Sequence, residues 1–108
     1  MTANELRECA KGPPPGAGKA LLALWHDARG DWVRAHETAQ VDETADGAWV
    51  HAYLHRKEGD LGNAGYWYRR AGRPVAKCGL DTEWSAIAAS LLASVGPQEA
   101  RTAQGRPP

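Results

Sequence analysis

Two imidazoles and a carboxylate, His51, His55 and Glu58, fall at positions i, i+4 and i+7 of one segment. A helix advances about 100° per residue, so these three groups share a narrow stripe and face the same way. Imidazole nitrogen and carboxylate oxygen are the donors that zinc and its neighbours accept. A further histidine, His26, holds the place of His55 in a pattern the chain contains twice, and stacking of the copies would bring it near. His26, His51, His55 and Glu58 therefore form a candidate metal site. The same residues have a structural use: a histidine beside a helix hinge can donate to a neighbouring carbonyl or to an aspartate. Duplication of His26 and His55 favours that use, because a repeat duplicates its own packing. Neither copy contains HExxH, which excludes metalloprotease chemistry, and no cofactor is expected.

Other chemistry is thinner. Gly18-Lys19 ends a stretch that superficially suggests a phosphate-binding loop. Pro13 holds the first glycine position, Ala20 replaces the metal-binding hydroxyl, and three prolines remove N–H donors. Ser85, Ser90, Cys9 and Cys78 have no histidine beside them in sequence. A more persuasive surface is the cluster Asn63, Tyr66, Arg69 and Arg70, extended by Arg56 and Lys57. Tyrosine and arginine anchor interfaces, and arginine adds planar recognition of carboxylates. That set predicts a docking surface for a protein or peptide, acidic in character.

The elements that must position these groups follow from a period of 29 residues. His26-x3-Gly30-Asp31-x3-Ala35 recurs as His55-x3-Gly59-Asp60-x3-Ala64, with Ala23 opposite Ala52. A period of this size marks a stacked supersecondary unit. Each glycine suits the left-handed position that ends a helix, and each aspartate suits the N-cap of the next. Gly-Asp is thus a hinge between two helices. Helices are predicted over 19–28, 32–40, about 47–58 and 61–71, with 41–46 as a polar connector. Leu61, Ala64, Tyr68 and Ala71 are expected to share one buried face. Thr2-x-x-Glu5 is a capping box that starts a short helix reaching about Ala10. A Pro/Gly-rich linker completes residues 1–18. A last helix is predicted over 81–95, capped by Asp81, stopped by Gly96-Pro97, and striped by Trp84, Ile87, Ala88, Leu91, Leu92 and Val95. The repeat domain spans 19–96, and 97–108 is expected to be a disordered tail. No segment alternates with period two, so the fold is all-α.

Ala52-x6-Gly59-Asp60-x3-Ala64-x3-Tyr68-x2-Ala71 resembles the core of a tetratricopeptide repeat. Tyr66-Trp67-Tyr68-Arg69-Arg70-Ala71 is similar to the ending of the related SEL-type repeats. The good copy covers about residues 47–72. A poorer one covers 19–40 and has Ala39 where the aromatic belongs. The resemblance implies stacked antiparallel hairpins, closed by a C-terminal capping helix, that recognise a protein or peptide. The period is shorter than either family's, and two units are fewer than such arrays need.

Composition narrows the classes further. Thirteen basic residues balance thirteen acidic ones, so no overall field draws the chain to nucleic acid or to an anionic membrane. Five tryptophans, three tyrosines and no phenylalanine supply core anchors that also carry polar handles. Two cysteines without framework spacing read as free thiols, and a cytoplasmic setting is expected. The leading expectation is a non-catalytic protein- or peptide-binding helical-repeat domain. The alternative is a small metal- or ligand-binding protein centred on His51, His55 and Glu58. An exposed stripe on the last helix would favour a homodimer.

Overall fold

The computed structural model describes residues 1–101, with side chains through residue 95. Among them it is all-α, with α1 (Ala3–Glu8), α2 (Lys19–Ala28), α3 (Trp32–Gln40), α4 (Ala45–Glu58), α5 (Leu61–Ala71) and α6 (Leu80–Arg101). The capping box forms: the Glu5 N–H donates to Thr2 Oγ1, and the Thr2 N–H donates to Glu5 Oε1. α1 stops at Glu8, short of Ala10, because Cys9 is already extended ahead of the prolines.

The two hinges have the expected form. Gly30 and Gly59 sit at φ +83° and +91°, where a Cβ would be strained. Asp31 accepts from the Arg34 N–H and Asp60 from the Asn63 N–H. α2 with α3 and α4 with α5 are therefore antiparallel hairpins. α4 begins two residues before the predicted start, because Thr44 caps it through the Gly47 N–H.

α2 and α4 lie beside each other, and α6 crosses both. α6 starts at Leu80, so Asp81 lies in its first turn rather than at its cap, and the Gly79 carbonyl receives the Glu83 N–H. At the far end Gly96-Pro97 does not stop the helix, which continues to Arg101. A proline forfeits its own N–H bond, and here the helical path survives that loss. The predicted tail beyond Arg101 lies outside the described residues.

The six apolar positions of the α6 stripe are all buried, in one core with Leu6, Leu21, Leu24, Val50, Tyr53 and Leu54. Because α1, α2 and α4 cover that stripe, it offers no exposed face for pairing two copies. The Trp84 indole N–H donates to the Leu24 carbonyl at 3.0 Å and fixes α6 on the first hairpin. Ala52, Ala64 and Tyr68 form a second cluster where α4 meets α5. Leu61 departs from its predicted face: it is 69 % exposed, being the first residue after the hinge and ahead of the contact with α4. No helix among the described residues is long and apolar enough to cross a membrane, and both cysteines are free.

Candidate functional site

α4 is packed by α3 on one side and α5 on another, while the backbones of α3 and α5 do not approach each other. The face of α4 between them carries His51 and His55, one helical turn apart. α3 adds a third histidine, His36. Their ligand nitrogens all lie within 4.8 Å of one another, with His51 and His55 buried and His36 half-buried. His36 Nε2 and His51 Nε2 are 3.0 Å apart, a hydrogen bond between two rings. His55 Nδ1 lies 2.6 Å from Glu58 Oε1. A proton held there on Nδ1 leaves the Nε2 lone pair free for a ligand, the arrangement by which a carboxylate orients a metal-binding histidine.

Two tryptophans hold the rings. Trp67 of α5 stacks on His51 at 4.0 Å between centroids, and Trp32 of α3 stacks on His36 at 4.9 Å. Trp32 is itself fixed by donating from its indole N–H to the Leu54 carbonyl. Burial, with His36 and His55 alongside, pushes the His51 pKa down to about 4. Burial first, and His55 second, also lower that of His36. Proton uptake at these two rings is therefore disfavoured, which leaves their lone pairs available at neutral pH.

The structure brings together His51, His55 and Glu58, as their spacing requires, but not His26. That ring lies edge-on to Trp25. His55 packs beside Trp32 and His36 of the first hairpin, whereas His26 meets Trp25 of its own helix. His36 takes the vacant role. No other histidine shares its helix, so periodicity gives no sign of it. The available signal is Trp32-x3-His36, an aromatic and an imidazole on one face of the helix preceding α4. A second grouping, His55, Glu58 and Asp60, is mostly exposed, and Asp60 is engaged in capping α5.

The predicted docking residues divide. Asn63 is committed to Asp60 through its N–H and its Nδ2. Arg56 turns inward, donating to buried Glu83 at 2.7 Å and to the Cys78 carbonyl, so it does not extend the patch. Tyr66, Arg69 and Arg70 are the exposed remainder, with Arg70 Nη1 3.2 Å from the Tyr66 hydroxyl. Arg70 also stands over Trp67 at 5.2 Å. Beside these two residues is a cavity of about 480 Å³ lined by Gln40, Asp42, Glu43, Thr44, Ala45 and Ala48.

The other buried charges serve the frame. Glu83 accepts from Arg56 and from the Tyr68 hydroxyl. Asp27 accepts from the Tyr53 hydroxyl at 3.0 Å and from Lys57 Nζ at 2.9 Å. Burial chiefly, and then these carboxylates, raise both tyrosine pKa values.

Fold and site together define an all-α protein of two helical hairpins with a tryptophan-flanked three-histidine cluster in the cleft between α3 and α5. The chain matches no family model, no curated protein and no solved structure.

Proposed function

We propose that this protein binds one transition-metal ion of the zinc class through His36, His51 and His55, with Glu58 orienting His55. The observation that carries the reading is the convergence of three imidazoles from two helices within 4.8 Å. Three nitrogen donors suit zinc, copper or nickel, whereas calcium and magnesium demand oxygen. Such a set leaves a coordination position for water or another ligand. To bind, whichever of His36 and His51 carries its proton on Nε2 must move it to Nδ1. Neutral rings permit that exchange.

The test is titration of chelator-treated protein with Zn²⁺. One equivalent should bind, and at 100 times the dissociation constant stability should rise by about 2.7 kcal/mol. His51→Ala and His36→Ala should each lose most of that gain, and Ca²⁺ should produce none. Protein that binds no zinc and melts unchanged would sink the reading.

A second reading, docking of an acidic peptide, is favoured by the exposed Tyr66, Arg69 and Arg70, although Asp42 and Glu43 in the neighbouring cavity oppose it. It stands behind the first because Asn63 and Arg56 are engaged elsewhere. Binding of an acidic peptide that survives Tyr66→Ala with Arg70→Ala would count against it.

A further inference from the structure

We infer that the groove formed by α4, α6 and the loop joining α5 to α6 binds a small aromatic carboxylate, at a site separate from the histidine cluster. A cavity of about 230 Å³ lies there, walled by Trp49 of α4, Ala86 of α6, and Arg73, Pro74, Val75 and Ala76 of the loop. Trp49 precedes His51 by two residues on α4, about 200° around the helix, so the two sites open on different sides. A cavity of about 150 Å³ holds benzene. This one, mainly apolar in its wall, therefore has room for a single ring with a short polar arm.

Charge decides what that arm is. Two ionic side chains border the cavity, Arg73 and Glu83. Glu83 is buried and satisfied, accepting from Arg56 Nη1 at 2.7 Å and from the Tyr68 hydroxyl. Arg73 is exposed, and among the described residues its guanidinium has no carboxylate within 4.0 Å. It rests instead on Trp49, with Cζ 3.7 Å from the ring centre. A guanidinium against a ring face keeps its N–H groups in its own plane, the fork that takes a carboxylate through two parallel bonds. The loop is also shaped in advance. The Arg73 N–H donates to the Tyr68 carbonyl at 3.0 Å behind left-handed Gly72, and Arg56 Nη2 donates to the Cys78 carbonyl. The Arg56–Glu83 pair thus ties the loop down and leaves Arg73 as the uncompensated charge at the cavity.

The experiment is titration of metal-free protein with phenylacetate, followed by two-dimensional NMR of the amide and indole N–H groups. Saturable shifts in the millimolar range or tighter should appear at the Trp49 indole and at the loop amides from Arg73 to Cys78, with the Trp32 indole unmoved. Phenylacetamide, which has the same shape without the charge, should bind at least about 10-fold more weakly, and Arg73→Ala should weaken phenylacetate by a similar factor. Ala86→Phe, at an exposed position of α6, should fill the cavity and abolish binding with Arg73 still in place. Equal binding of the amide, or undiminished binding by Arg73→Ala, would overturn the carboxylate assignment. No saturable shift at Trp49, or full binding by Ala86→Phe, would overturn the site itself.

Discussion

Replacing Gly47 with alanine sets two effects of opposite sign against each other. Gly47 lies in the first turn of α4, where alanine is the better helix former by about 1 kcal/mol. Propensity alone therefore predicts a more stable protein. The turn before the helix forbids it. A Cβ on Gly47 would lie 2.6 Å from Asp42 Cβ and closer still to the Asp42 carbonyl oxygen, a backbone atom that cannot swing aside. Asp42 must move, and with it the carboxylate that accepts from the Thr44 N–H at 2.9 Å and from the Thr44 hydroxyl at 2.6 Å. Thr44 in turn caps α4 through the Gly47 N–H. Losing that cap costs about 1 kcal/mol, and the two bonds at Asp42 about 1 kcal/mol each at most. The sum exceeds the propensity gain, leaving Gly47→Ala destabilised by about 1–2 kcal/mol, or roughly 5–15 °C in melting temperature for a domain of this size. Thermal and urea unfolding followed by circular dichroism would measure it. Gly62→Ala is the internal reference: that glycine is also in a first helical turn, and its Cβ would meet nothing within 4 Å. It should gain up to about 1 kcal/mol. If both variants are stabilised alike, the close approach of the 42–44 turn to α4 is wrong.

Two other outcomes are expected. Glu83→Ala should cost about 3 kcal/mol or more in urea unfolding, since it strands Arg56, whose side chain is only 17 % exposed. Asp27→Ala should cost less, because Lys57 at 39 % can turn to water. In metal-free protein, stability should fall by up to about 3 kcal/mol as pH drops from 6.5 toward 4. The reason is that unfolded His51 takes up its proton near 6.5 while folded His51 resists until about 4. Chemical denaturation across that range should show a slope that His51→Gln reduces, and an unchanged slope would remove His51 as its source.

The helices most legible in the sequence were those bounded by local punctuation. α2, α3 and α5 begin and end at the predicted residues; Gly30-Asp31 and Gly59-Asp60 set the end of α2 and the starts of α3 and α5, and Gly72 the end of α5, through backbone chemistry that needs no distant partner. α4's early start was hidden because Ala45 and Asp46 add nothing to an apolar period, and the Thr44 cap depends on a turn built by Asp42. The site was half legible for the same reason. His51, His55 and Glu58 share one helix, so spacing alone aligns them. His36 joins only through the packing of α3 on α4, which no single-helix period encodes. Arg56 shows the converse failure. Its place beside Lys57 suggested surface charge, yet Glu83, 27 residues away, draws it inward.

The bond from the Trp84 indole to the Leu24 carbonyl spans 60 residues, and it bears on how the chain must fold. A stacked array can add units one after another, each resting on a finished neighbour. Here the apolar surfaces of α2 and α4 stay uncovered until residues 84–95 arrive, and Leu6 of α1 waits for the same closure. The rate-limiting search is then a long-range one, and mutations in the Trp84–Val95 stripe should slow refolding as well as hasten unfolding. On the ribosome, both hairpins would emerge with an unsealed face, which is where a chaperone would find this protein during its synthesis.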